Sequence, residues 1–187
     1  AAEHNVNFLF EASVGGGIPI IRPISQCLAA NEINEFAGIL NGTTNFILTR
    51  MINDGMAFED ALKLAQDNGY AERDPSADIL GFDACRKVCI LASLCFGKHV
   101  YPDQVHTEGI TEITLEDVEY AKDWGGVIKL LGIARKSEDG KHIYAIVSPA
   151  FVDHHSQLAS VDDVFNAILV RGDAIGDVAV SYTHLRA

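Results

Sequence analysis

Residues 69–87 constrain the fold more than any other stretch: Gly-Tyr-Ala-Glu-Arg-Asp-Pro-Ser-Ala-Asp-Ile-Leu-Gly-Phe-Asp-Ala-Cys-Arg-Lys. Asp74-Pro75 resists continuation of a helix from before it, and Ser76 or Asp78 can cap the apolar run that follows. The stretch therefore reads as a loop feeding a helix. On that helix Asp83 and Lys87 stand four apart and stack an acid and an amine on one face. Such a pair by itself is a solvated contact worth about 0.2–0.5 kcal/mol. Its company says more, because Lys87 runs directly into Val-Cys-Ile-Leu-Ala-Ser-Leu-Cys-Phe, an apolar helix that belongs in a core. Charges at the mouth of a buried helix, with Glu72, Asp74 and Asp78 delivered by a Gly/Pro loop, point to a lined pocket.

The rest of the chain is consistent with one domain around that pocket. Its 187 residues are 48% hydrophobic, enough for a substantial core, and no apolar run is long enough to span a membrane. A formal charge of −12, from 26 acids against 14 Lys and Arg, excludes a phosphate-backbone partner, so no nucleic acid is expected. Cys27, Cys85, Cys89 and Cys95 form no C-x-x-C pair, and three of them fall on the apolar helix as small core residues. The expected setting is reducing and cytoplasmic. Cys85 and Cys89 could clamp a metal from one helical face, although no histidine is near them in sequence.

Before the central stretch, residues 6–12 read as a strand rich in large apolar side chains, ending in Ser-Val-Gly-Gly-Gly-Ile-Pro. A strand running into three glycines lets backbone approach a ligand, or simply turns tightly; the phosphate-binding patterns are absent. Residues 20–30 read as a helix with Pro23 near its first turn, residues 33–40 as a strand, residues 41–45 as a turn, and residues 46–53 and 58–68 as helices. Beyond it, residues 99–113 are irregular and polar. Residues 115–124 form an acidic amphipathic helix with Leu115, Val118 and Ala121 inward. Residues 127–135 and 142–152 flank an Asp139-Gly140 turn as a hairpin, whose edge could pair two subunits. Asp153-His154-His155 has metal-ligand residue types, but neighbours on an extended chain point to opposite faces, which favours a surface turn. The fold class expected is α/β: a single domain with a mixed β-sheet, helices packed mainly on one face, and some parallel pairing across the helices.

The pattern Ala65-x-x-x-Gly69-Tyr-Ala, then Asp74-Pro75-x-x-Asp78-Ile-x-Gly81-x-Asp83-x-x-x-Lys87, resembles the signature of homoserine dehydrogenases, as do residues 159–168 and 172–177. The resemblance implies that Lys87 is the catalytic proton carrier working with Asp83, that Glu72 and Asp83 hold the substrate, and that Asp78 supports the lysine. Gly42 and Thr43, in an Asn-Gly-Thr-x-Asn stretch, become further substrate-side candidates. It also implies that the Glu11-to-Pro19 segment lies by the nicotinamide of NADP or NAD, with Gly15 and Gly16 against the cofactor. A monovalent cation such as Na⁺ would take oxygens of Glu11, Val14, Gly16 and Ile18, mostly carbonyls, which suit a hard ion.

The implied activity is interconversion of L-aspartate 4-semialdehyde and L-homoserine, in threonine, methionine and isoleucine biosynthesis. The implied partners are a small-molecule substrate and a second copy of the chain in a homodimer. Residues 1–180 would be the substrate-binding and catalytic domain, without the nucleotide-binding half, and inactive alone; residues 181–187 depart from the family pattern and read as a foreign or truncated tail. Two other readings stand beside this one. Glu72, Asp74, Asp78 and Asp83 could form the Mg²⁺ or Mn²⁺ site of a hydrolase, against which the Lys87 ammonium would compete. Alternatively, the hairpin could be the working part of a non-catalytic dimerisation module.

Overall fold

The computed structural model describes residues 2–6, 8, 10–15, 19–28, 30–174 and 176–182. Strand β1 (Ile33–Ile39) is covered on both faces: Phe36 and Gly38 face one side of the sheet, Glu35, Ala37 and Ile39 the other. The chain then turns at Leu40-Asn41 into helix α1 (Gly42–Asp54). The Asn41 side chain accepts from Thr44 N at 2.9 Å and so caps the helix. The helix thus begins four residues before its expected start, because the supposed turn residues are its cap and first turn. Helix α2 (Phe58–Asp67) follows, burying Ala61 and Ala65, and a four-residue helix α3 (Ser76–Ile79) leads into α4 (Phe82–Phe96).

Neither Ser76 nor Asp78 caps α4. Gly81 takes that place in the left-handed conformation (φ 81°) with no side-chain hydrogen bond, and Ser76 opens α3 instead. Along α4 the expected burial is found at Ala84, Cys85, Val88, Cys89, Leu91 and Ala92. Two residues of β2 (His106–Thr107), within an otherwise irregular segment, precede α5 (Leu115–Asp123), whose Thr114 and Asp117 form a reciprocal cap. Val118 and Ala121 point inward as expected; Leu115 does not, being 41% exposed at the first helical position.

Strands β3 (Gly126–Lys136) and β4 (Ile143–Asp153) pair without a register break from Gly126↔Asp153 to Lys136↔Ile143, so β3 is one residue longer than expected at each end and β4 keeps its expected length, shifted by one residue. Strands β5 (Asn166–Gly172) and β6 (Gly176–Tyr182) form a second hairpin. The sheet order is β2-β4-β3-β1-β5-β6. It is mixed, as expected, but only the short β2–β4 pair is parallel. The expectation of parallel pairing across the helices fails because β1 takes antiparallel neighbours on both sides.

The described helices share the core on the face carrying Phe36, Ile128, Leu130, Ala134, Val147, Ile168 and Val170: α1, α4 and α5 pack on the strands, and α2 and α3 pack on α1 and α4. Gly132 permits the close seating of α4, since a Cβ there would come within 2.4 Å of Val88 Cγ2. The opposite face buries Ile39, Leu131, Val152 and Ala167 under Leu158 and Ala159, while Tyr144 and Ile146 remain exposed. Near the N-terminus, residues 6–12 contain no described strand: Glu11–Ser13 is a single 3₁₀ turn, and Phe8 is 73% exposed with no neighbouring strand to pair it. The expected helix over 20–30 contracts to a π-type turn at Pro23–Cys27 with two helical residues ahead of it. Among the described residues, no helix is long and apolar enough to cross a membrane.

Candidate active site

The corner where β1 becomes α1 meets the loop between α2 and α4, and the predicted acids converge there. Lys87, one turn into α4, donates to Asp83 Oδ2 at 2.6 Å and to the Leu40 carbonyl at 2.9 Å. Its side chain is 20% exposed and that of Asp83 30%, so the pair sits at the rim of the core and not on an open surface. A protonated amine has three donors. Two are engaged by the described residues and one is left over.

Asn41 holds the acids together. Its amide Nδ2 donates to Asp78 Oδ1 at 2.7 Å and to Asp83 Oδ2 at 2.8 Å, while its Oδ1 caps α1. Two carboxylates are thus kept apart by one amide bearing two hydrogens. Burial, with the charges of Asp83 and Glu72 adding to it, pushes the Asp78 carboxyl above its ordinary 3.8, against the pull of the Asn41 hydrogen bond and the Lys87 charge. Glu72 is exposed on the loop, close enough for its charge to be felt at Asp78, and its backbone carbonyl accepts from Gln66.

Thr43 is buried and donates to the Tyr70 carbonyl at 2.6 Å, tying α1 to the base of the acidic loop. Gly42 opens α1 where a Cβ would stand 2.8 Å from the Val164 carbonyl. Both therefore shape the site from behind. Asp74 is exposed and accepts from Ser76 N at 3.1 Å. The four-acid metal cluster is not assembled: among the described residues, no group of three or more His, Cys, Asp or Glu could hold a metal ion.

Cys85 and Cys89 pack side by side in the core, and burial, then the neighbouring Cys85, pushes the Cys89 thiol up to about 12. That is inert core chemistry. Asp153 folds back to accept from His155 N at 2.8 Å in an exposed turn. At the N-terminal segment, the Glu11 carboxylate accepts from the backbone N–H groups of Ile20, Ile21 and Arg22 at 2.5, 2.7 and 2.8 Å. Its side chain is committed to that turn, so only its carbonyl could face a cation. Val14 and Gly15 are buried; Gly16 and Ile18 lie outside the described residues.

Sequence reasoning brought Asp83, Lys87, Asp78 and Glu72 to one place but missed Asn41 as the bridge and the Leu40 carbonyl as the second acceptor for Lys87. An Asn directly before Gly-Thr-Thr was a helix-cap signal that could have found the first. No sequence signal marks a carbonyl.

Residues 19–184 match the family model described as homoserine dehydrogenase. A homoserine dehydrogenase of Synechocystis is 49% identical over 180 residues, covering 95% of this chain and 42% of that relative. The solved structure of a homoserine dehydrogenase from Thiobacillus denitrificans superposes with a TM-score of 0.89 at 48% identity, covering 92% of this chain and 40% of that one. A mutant hyperthermophilic archaeal homoserine dehydrogenase in complex with NADPH superposes at 0.80 with 29% identity, covering 97% of this chain and 51% of that one. The chain spans about two fifths of the length of the curated relatives it matches.

Proposed function

The chain belongs to the homoserine dehydrogenase family, and from that premise we propose that it is the substrate half of an enzyme interconverting L-aspartate 4-semialdehyde and L-homoserine with a nicotinamide cofactor. The observation that carries the reading is the Lys87 ammonium, held by Asp83 and the Leu40 carbonyl with one donor left over.

The donor set fits the reacting end of such a cofactor. Asp78, Asp83 and Glu72 outnumber Lys87, so the site favours the substrate ammonium and the positive ring of an oxidised nicotinamide, and disfavours a pyrophosphate. Gly15 is the described residue assigned beside that ring. When bound, the nicotinamide supplies or takes the hydride. In reduction the aldehyde oxygen becomes an alkoxide, Lys87 stabilises it by charge and gives it a proton, and the neutral amine regains a proton from solvent. Asp83 and the Leu40 carbonyl aim the amine throughout. In oxidation the free amine of Lys87 takes the hydroxyl proton. Glu72 binds the substrate ammonium from the loop.

NADP and NAD both remain within the proposal, because the ribose is read outside these residues. A Na⁺ site on the carbonyl oxygens of Glu11, Val14, Gly16 and Ile18 belongs to the same reading, as does a homodimer formed through the sheet face opposite the helices. A reducing, cytoplasmic setting belongs to the same reading.

The test uses the complete enzyme, meaning this chain joined to a nucleotide-binding half. It should consume NADPH with aspartate semialdehyde, and residues 1–187 alone should not, because hydride and acceptor must be held together. Glu72→Gln should weaken homoserine binding by about 1.5–3 kcal/mol, the worth of a charge-assisted contact. No turnover by the complete enzyme, or turnover by the chain alone, would refute the reading.

A further inference from the structure

Lys129, on β3, is a buried cation that the proposed reaction does not use. Its side chain is fully enclosed, at 0% exposure. The ammonium donates to the Val161 carbonyl at 2.7 Å, to Asp162 Oδ1 at 3.0 Å and to Asn45 Oδ1 at 3.3 Å, so all three of its donors are used. With its oxygen facing Lys129, Asn45 turns its amide nitrogen to the carbonyls of Val161 and Phe165, 3.0 Å from each. One turn further along α1, Thr49 Oγ1 accepts from Asp163 N at 3.0 Å, and Arg50 pairs with the Asp163 carboxylate at 2.6 Å. One side of α1 is therefore tied to residues 161–165, and Lys129 ties both to the sheet.

Filling the same space with an apolar side chain would avoid the desolvation that an enclosed ammonium suffers, so stability alone is a weak reason for a lysine here. Position supplies another. Strand β1 pairs β3 as far as Gly38↔Gly132. Lys129 lies three residues beyond that last pair on β3, and Asn41 three residues beyond it on the other chain segment, where β1 has ended and α1 begins. The backbone N–H of Asn45 donates to the Asn41 carbonyl at 3.2 Å, one helical turn behind the amide that spaces Asp78 and Asp83. Residues 161–165 also press on that turn directly, through the Val164 carbonyl against Gly42.

We propose that Lys129 is a positioning residue that seats the first turn of α1, so that Asn41 and the Leu40 carbonyl meet Asp78, Asp83 and Lys87 at working distances. The proposal rests on the functional reading above only for its kinetic readout.

The test compares Lys129→Met with Lys136→Met in the complete enzyme, the same chemical change at two places on one strand. Lys136 pairs with Glu32 at the far end of β3, away from the site. For Lys129→Met, kcat should fall about 10- to 100-fold, the scale of a small misplacement of reacting groups. The KM for the nicotinamide should hold, and the side-chain amide resonances of Asn41 should move. Lys136→Met should change neither kcat nor those resonances. Wild-type kcat and unmoved Asn41 resonances in Lys129→Met would overturn the proposal. If Lys129→Met fails to fold, Asn45→Asp is read the same way: it keeps the acceptor for Lys129 and removes both donors to the 161–165 segment. An enzyme without homoserine turnover would refute the function, while the Asn41 resonances would still decide the positioning.

Discussion

Asn41 engages every polar atom of its side chain, with its oxygen on the helix it starts and its two hydrogens on Asp78 and Asp83. Asp83 and Lys87 were legible because spacing on a helix fixes their contact, whatever the tertiary fold. Asn41 was not, since its partners lie 37 and 42 residues away and only the packing of α3 and α4 on the β1–α1 corner brings them in. Asp78 gives this arrangement a measurable signature. Its carboxyl is raised above 3.8, chiefly by burial, so between 3.8 and the raised value the folded chain holds a proton that the unfolded chain has released. The stabilisation is complete below 3.8 and is lost as pH rises through the raised value. Asp78→Asn cannot titrate, so its melting temperature should gain on the wild type as pH climbs through that interval. A difference that stays flat with pH would show that Asp78 is not held as described.

Among the elements, α1 is the one whose seating matters most, and Gly42 tests it. An alanine there has better helix propensity, by up to about 1 kcal/mol. Against this, its Cβ would meet the Val164 backbone oxygen at 2.8 Å, a contact no side-chain rotation relieves. Overpacking of that kind costs about 1–3 kcal/mol, so Gly42→Ala should lower the denaturant midpoint; an unchanged midpoint would mean that the 161–165 segment yields freely. The sheet makes a second claim. The hairpin edge expected to pair subunits is already covered at Ile146 and Val147, where β2 binds β4. What remains is a face: among the described residues, Tyr144 and Ile146 stand exposed on it, next to the half-buried Ile133 and Leu169 and beyond the patch sealed by Leu158 and Ala159. Sedimentation of the complete enzyme should report a dimer, and Ile146→Glu should shift it toward monomer. A wild-type monomer, or a dimer indifferent to the substitution, would remove this face from assembly.

At the scale of the whole molecule, the sequence conveyed what local chemistry decides and withheld what partners decide. The hairpin around Asp139-Gly140 and the buried α4 were readable from alternation and apolar run length. The run over residues 6–12 had strand composition, but its described residues pair with no strand of the described sheet, and composition cannot supply a neighbour. Sheet order was equally hidden, being set by which faces must be buried together. The fold that results closes a core under α4 and leaves one amine at its rim, and the account stands or falls on what that amine does. Lysine offers the forming alkoxide both a charge and a proton; arginine offers the charge alone, because its pKa above about 12 makes it a poor proton carrier. The decisive measurement is kcat for Lys87→Arg and Lys87→Ala in the complete enzyme, with folding confirmed by circular dichroism. Both should lose about 10²–10⁴-fold, the typical worth of general acid–base catalysis. An arginine variant that retained most of the wild-type kcat would contradict the account, making Lys87 an electrostatic residue and water the proton source.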